Sequence, residues 1–137
     1  MVASTDPRRP PPLAVAAFTG GDDVPSARFR VRQYVPSLLA AGIEVSEFPS
    51  RTGAYPPPER ARRAVWAVRN LSWRLVDLAR ARGASLSLLQ REFVSTTVTL
   101  EPLTQHPRVL DVDDAIWVYG GEGFARRLAR LCDLVVC

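Results

Sequence analysis

Short apolar runs alternate along this chain with longer stretches in which apolar residues recur at helical spacing. The runs are "LAVAAF" (13–18), "IEVSEF" (43–48), "ASLSLL" (84–89), "RVLDV" (108–112) and "DLVVC" (133–137). Strands that alternate with helices form a parallel sheet, because each helix returns the chain to the edge from which the next strand starts. The sequence therefore predicts an α/β fold, a Rossmann-like parallel sheet with helices on both faces.

The first predicted helix follows the first strand. Ser26, after Pro25, is a good N-cap, and apolar positions at helical spacing continue to about Ala41. Pro36 should kink this helix, and Gly42 should end it.

The second predicted helix is long, with Pro58 in its first turn and Gly83 as its stop. We expect Trp66 and Trp73, on an adjacent face, to be core or partner contacts. A short helix within 93–106 and another over 122–131 complete the prediction. The inward face of the long helix is expected to be an apolar stripe of Ala61, Val65, Val68, Leu71, Leu75 and Leu78.

The chain contains no lysine, since all 18 of its basic side chains are arginine. A Walker phosphate loop, a Schiff-base enzyme and a phosphoryl-aspartate site with a lysine partner each need an amine, so these classes are excluded. The net charge of +4 does not predict nucleic-acid binding. The densest arginine run lies on the one long helix, where such runs are typical of a solvated face.

The two ends of the chain indicate its compartment. Cys132 and Cys137 have neither zinc-site spacing nor a disulfide framework, which is typical of a reducing environment. The polar, proline-rich residues 1–12 are expected to be a disordered leader rather than an export signal, because the apolar run that follows is too short. The sequence predicts a cytoplasmic protein whose domain spans residues 13–137.

Polar and glycine residues follow the predicted strands, at the sheet edge where parallel α/β folds bind ligands. Gly20 and Gly21 would let backbone approach a ligand closely, and the helix start after them favours an anion. Arg28 and Arg30 add guanidinium groups suited to phosphate or carboxylate. The glycine spacing does not fit the dinucleotide fingerprint, so no nicotinamide site is predicted.

The stretch "DVDD" (111–114) ends the fourth predicted strand and has three interpretations. A D-x-D pair can hold a divalent cation on a nucleotide diphosphate. A carboxylate at a strand end can act as a base or bind substrate hydroxyls. Alternatively, Asp111 accepts hydrogen bonds inside the fold while Asp113 and Asp114 cap a turn.

Three motifs in order resemble one enzyme family. The segment "SARFRVRQYVPSLLAAGIEVSEFP" (26–49) is similar to the first helix and second strand of family-4-type glycosyltransferases. "LLQRE" (88–92) and "RVLDVDDAIW" (108–117) resemble the ends of two later strands of that family. Three motifs in the right order are more specific than any one of them.

The resemblance implies a retaining glycosyltransferase with two facing Rossmann-like domains, the GT-B fold, and no obligatory metal or other cofactor. This chain would be part of the amino-terminal, acceptor-side domain, and a missing carboxyl-terminal domain would bind most of the nucleotide-sugar donor. The acceptor would be a sugar or a lipid-linked sugar, and peripheral membrane association is left open. By this resemblance Asp113 and Asp114 would be catalytic residues facing the acceptor, and the substrate-binding residues would be Gly20, Gly21, Ser26, Arg28, Arg30 and Arg91.

The last apolar run stops at Cys137 without a polar tail, so we expect the sequence to be the front part of a larger enzyme that is inactive as a fragment. An alternative from another class is a stand-alone α/β binding or interaction module, whose arginine-rich helix contacts an acidic partner. The two hypotheses predict different behaviour, because only the second requires salt-dependent association with a partner.

Overall fold

The computed structural model describes residues 12–53, 55–112, 118 and 122–137. Its strands are β1 (Leu13–Thr19), β2 (Ile43–Pro49), β3 (Leu86–Leu89), β4 (Arg108–Asp111) and β5 (Leu134–Val136). Its α-helices are α1 (Pro25–Arg30), α2 (Val35–Ala40), α3 (Arg60–Arg80) and α4 (Glu122–Arg130), and two 3₁₀ turns lie at Arg32–Tyr34 and Glu101–Leu103.

The five strands form one parallel sheet in the order β2-β1-β3-β4-β5. The chain runs from β1 outward to β2 and then crosses back to β3, so its crossovers lie on both faces of the sheet, as right-handed connections require. This architecture confirms the predicted α/β, Rossmann-like fold. The second domain of the GT-B arrangement stays a prediction.

The main core lies on the sheet face that α3 and α4 cover. Phe18, Phe48, Leu89 and Leu110 point to this face from four neighbouring strands, and Leu128 of α4 packs against them. Phe18 stacks on Phe48 with ring centroids 5.3 Å apart. On the opposite face, α1 and α2 pack beside apolar residues of β1, β2 and β3, namely Leu13, Val15, Ile43, Val45, Leu86 and Leu88.

The predicted helix from Ser26 to Ala41 is two short helices instead of one. A 3₁₀ turn at Arg32–Tyr34 separates α1 from α2, and Pro36 lies in the first turn of α2. Proline is favourable there because the amide it lacks would have no partner inside the helix. The N-cap of α1 is Val24, so Ser26 is already inside the helix.

The predicted short helix within 93–106 is wrong except for one 3₁₀ turn. Glu101 is fully buried in this segment, and its carboxylate accepts hydrogen bonds from the backbone amides of Phe93, at 2.6 Å, and of Thr99. These amides would otherwise be available for a helix ladder. A buried carboxylate that binds local amides folds the segment into a loop.

The predicted inward stripe of α3 is also wrong, except at Leu78, which is partly buried against the core. The buried residues of this helix are Asn70, Arg74 and Asp77, whereas Val65 and Val68 are exposed. The reason is that the strand ends beneath the helix present carbonyl groups, and a buried carbonyl needs a donor. A polar helix face supplies donors, and an apolar face does not.

The remaining differences are in element boundaries. The third strand begins at Leu86 rather than at residue 84, and the long helix begins at Arg60, after Pro58. The predicted disordered leader, residues 1–12, lies outside the described residues apart from Pro12. No helix in the described part of the chain is long and apolar enough to cross a membrane.

Candidate functional site

A small polar cavity lies where β1, β2 and β3 end. We call it the edge cavity. Its volume of about 20 Å³ has room for one hydroxyl-sized group, so a larger ligand would insert one group and lie mainly outside. It is lined by Gly20, Val24, Ser26, Ser50, Gly53, Arg74, Gln90, Arg91, Glu92, Phe93 and Ser95.

Gln90 is the most informative residue of the edge cavity. Its side chain is 1% exposed, yet neither its amide nitrogen nor its amide oxygen has a hydrogen-bond partner within residues 12–53, 55–112, 118 and 122–137. Its backbone amide is used, since it donates to the Phe18 carbonyl at 3.1 Å. A buried amide without partners costs free energy, so its side chain is an unused donor and acceptor at the cavity.

Glu92 adds a second unused acceptor. Its side chain is 4% exposed, and its Oε2 atom has no hydrogen-bond partner among the described residues. Its Oε1 atom accepts a long hydrogen bond from the Thr96 amide at 3.4 Å and lies 3.8 Å from the Arg91 guanidinium. A hydroxyl group both donates and accepts, so the amide of Gln90 and the carboxylate of Glu92 together suit a hydroxyl.

Arg74 lies at the inner side of the cavity and connects α3 to the strand ends. Its guanidinium donates to the carbonyls of Phe48, at 2.6 Å, and Thr19, at 2.7 Å. Burial lowers the pKa of Arg74 to about 10, while the nearby Asp77 carboxylate opposes this shift. The guanidinium is therefore still charged at neutral pH and places a fixed positive charge beneath the cavity.

The Gly20-Gly21 turn forms one rim of the cavity, and its backbone requires glycine. Gly21 has a φ of +149°, and a Cβ atom there would lie 3.4 Å from the Ser50 carbonyl oxygen. Arg32 holds the turn by donating to the Gly21 carbonyl at 3.2 Å. Arg32 also pairs with Glu47, whose hydrogen bond raises the pKa of Arg32.

Some of the sequence-predicted binding residues meet at the edge cavity and others do not. Gly20, Ser26 and Arg91 line it, and Gly21 is next to it. Arg91 also lies over the Tyr55 ring, with its guanidinium carbon 5.7 Å from the ring centroid.

Arg28 and Arg30 are not among the residues that line the edge cavity. The Arg28 guanidinium lies 5.1 Å from the centroid of the Phe29 ring. The Arg30 guanidinium pairs with the buried carboxylate of Asp111. Its Nε atom donates to both carboxylate oxygens, at 2.9 and 2.8 Å. This pair ties α1 to the end of β4, so Asp111 accepts its hydrogen bonds inside the fold.

The catalytic assignment of Asp113 and Asp114 lies outside the described residues and stays a prediction. The same holds for the metal-binding interpretation of "DVDD". Within the part of the chain that the structure describes, no group of three or more His, Cys, Asp or Glu side chains is placed to hold a metal ion.

Five polar cavity residues were not among the sequence-predicted site residues: Gln90, Glu92, Arg74, Ser50 and Ser95. The sequence contains a signal for Gln90 and Glu92, because "QRE" places polar residues directly behind a buried strand. Of that motif, only Arg91 is among the sequence-predicted binding residues. Ser50 and Ser95 carry no comparable signal, since serine is common in every loop.

Comparison of the chain with family models, with curated proteins and with solved structures finds no match in any of the three.

Proposed function

We propose that this chain is the acceptor-side domain of a family-4-type glycosyltransferase, an enzyme that transfers a sugar from a nucleotide-sugar donor to an acceptor with retention. The observation that carries this proposal is the buried Gln90 amide, which has a donor and an acceptor without partners in the described structure. Buried polar groups are almost always hydrogen-bonded, so an exception at a ligand-binding edge indicates a ligand.

The chemistry of the edge cavity supports a hydroxylated ligand. Amide, carboxylate and serine groups converge there, and each can exchange hydrogen bonds with a hydroxyl. The fixed charge of Arg74 favours a ligand that carries negative charge nearby, such as the phosphates of a donor. The three sequence motifs add the resemblance to a sugar transferase, and two of them contain cavity residues: Ser26 in the first, and Gln90, Arg91 and Glu92 in the second.

In the proposed mechanism, the described residues bind and orient the acceptor. One acceptor hydroxyl enters the edge cavity and exchanges hydrogen bonds with Gln90 and Glu92, while Ser50 and Arg91 contact the part that stays outside. Asp113 and Asp114 are proposed to face the acceptor as the catalytic carboxylates. The donor would be held mainly by a second Rossmann-like domain, and the proposed compartment is the cytoplasm.

A ligand titration followed by nuclear magnetic resonance tests this proposal. The probes are methyl glycosides of glucose, mannose and galactose and the nucleotides uridine and guanosine diphosphate, each added to the isotope-labelled chain. We expect at least one probe to shift the Gln90 side-chain amide signals, because a bound hydroxyl would give that amide a partner that it lacks among the described residues.

Gln90→Leu should abolish these shifts, and Gln105→Leu is the matched control because Gln105 is exposed. If all probes leave the Gln90 amide signals unchanged, or if the shifts persist elsewhere in Gln90→Leu, the edge cavity is not the binding site and the proposal fails.

A further inference from the structure

The outward face of α3 carries a row of exposed aliphatic side chains. Val65, Val68, Leu75 and Val76 are 60, 65, 52 and 45% exposed. Their spacing places them on one side of the helix, opposite the buried Asn70, Arg74 and Asp77. We call these four residues the α3 stripe. An apolar helix face that is exposed to this extent indicates an interaction surface.

A groove of about 450 Å³ opens beside the stripe, between α3 and the loop after β2. We call it the arginine groove. It is lined by Arg51, Thr52, Arg62, Val65, Trp66 and Arg69. The groove is held in place, because the Trp66 indole donates to the Thr52 carbonyl at 2.8 Å.

Three guanidinium groups face this groove, and their charges are only partly compensated. Arg51 donates to Asp77 at 3.1 Å and lies over the Trp73 ring, 4.3 Å from its centroid. Arg62 is 3.7 Å from the exposed Glu59, a distance too long for a strong pair.

Asp77 is the one acidic residue within Arg60–Arg80, and it is buried. The outward face of α3 therefore carries basic and apolar side chains and the neutral Ser72, but no acidic side chain.

The stripe and the groove are continuous, because Val65 belongs to both. Arg62, Arg69 and Arg80 recur on the same side of the helix, directly beside the stripe. A helix with an aliphatic stripe, a flanking row of arginines and nearby tryptophans matches what the interface of an anionic bilayer binds. Tryptophan beside aliphatic and arginine side chains is typical of helices that lie at the headgroup level, where one part of the helix surface meets phosphates and another meets acyl chains.

We propose that α3 docks on an anionic lipid surface, with lipid phosphates in the arginine groove and the α3 stripe among the upper acyl chains. The groove lies at the same sheet edge as the edge cavity, since Ser50 and Gly53 line the cavity and Arg51 and Thr52 line the groove. Docking would therefore bring the edge cavity close to the lipid. This inference rests on α3 alone and does not depend on the proposed sugar-transferase function.

Vesicle co-sedimentation of the full chain tests the proposal. The probes are vesicles of phosphatidylcholine and vesicles in which part of that lipid is replaced by phosphatidylglycerol. We expect the chain to bind only the vesicles that contain phosphatidylglycerol. Arg69→Gln should lower the partition coefficient about fivefold, the effect of one arginine near an anionic surface. Val68→Ser should lower it about tenfold, through lost burial of the side chain.

Two matched controls lie elsewhere on the surface. Arg127→Gln removes an exposed arginine from α4, and Leu103→Ser removes an aliphatic side chain that is 64% exposed. Neither should change binding, and circular dichroism should show that all four variants are folded. Absence of binding to anionic vesicles overturns the proposal, as does an equal loss in the controls. Binding that depends on Arg69 but not on Val68 would also overturn it, because charge alone would then hold the helix at the vesicle surface and the α3 stripe would not enter the acyl region.

Discussion

At the scale of single residues, two buried polar side chains at the same cavity have opposite roles. Arg74 donates to the carbonyls of Thr19 and Phe48, and the Thr19 carbonyl also accepts a hydrogen bond from the Ser50 amide. The Gln90 side chain satisfies no group in the described structure. Arg74 is therefore a structural residue, and Gln90 is available to a ligand.

Replacing Arg74 by methionine should strongly destabilise the fold. The substitution removes the guanidinium donor from two strand-end carbonyls and takes a positive charge away from the buried Asp77, whose carboxylate lies 3.7 Å from the Arg74 guanidinium. We expect a loss of about 3 to 5 kcal/mol in the free energy of unfolding, as for other broken buried pairs.

Denaturant unfolding measures this effect. Arg69→Met is the matched control on the same helix, because Arg69 is exposed, and it should change the free energy by less than about 0.5 kcal/mol. Similar losses in the two variants would show that Arg74 does not have this structural role.

At the scale of elements, hydrophobic spacing predicted the five strands and the helical segments after β1, β2 and β4, but not which face of α3 is buried. For α3 the spacing selected three of the four residues of the exposed stripe, because a period identifies an apolar face and cannot tell whether the sheet or a partner covers it. The buried polar face could not be predicted, since the carbonyls it satisfies belong to β1 and β2, far away in sequence.

The loop over 93–106 shows the same limit. Its residues have both strand and helix propensity, and the fully buried Glu101 decides between them by binding backbone amides. A glutamate in a polar stretch of sequence gives no sign that it will be buried. Long-range burial, rather than local propensity, determined this element.

The attachment of β5 to β4 should weaken in acid. The Asp133 carboxylate accepts a hydrogen bond from the Arg108 amide at 2.7 Å and contacts His106 at 3.0 Å, and these bonds lower the pKa of Asp133. A carboxyl group whose pKa is lower in the folded state stabilises the fold above its unfolded-state pKa. That stabilisation is lost as the pH falls through the lowered folded-state value.

Thermal unfolding over an acidic pH series checks this expectation. The wild-type chain should lose more stability between neutral and strongly acidic pH than Asp133→Asn, which keeps an oxygen acceptor but cannot titrate. Asp22→Asn, at an exposed aspartate, is a suitable control. Parallel pH curves for the wild type and Asp133→Asn would contradict the linkage.

At the scale of the whole molecule, the alternation of apolar runs was sufficient to predict the fold class. The runs are short and alternate with helical stretches, which is the pattern of a parallel sheet, and their order along the chain matches β1 to β5. The sheet edge that carries the candidate site followed from the topology. The topology did not predict which side chains meet at this edge. Arg30 pairs with Asp111, whereas Gln90 and Glu92 line the cavity.

The central claim is that the Gln90 side chain is kept for a ligand rather than for the fold. Denaturant unfolding of the wild type and of Gln90→Leu, each with and without a saturating glycoside that binds the wild type, tests it most directly. Without ligand, Gln90→Leu should be as stable as the wild type or more stable, because an apolar group replaces a buried amide that has no partner within the described part of the chain. With ligand, only the wild type should gain stability. A variant that is clearly less stable without ligand, or that gains as much stability as the wild type with it, would contradict the claim.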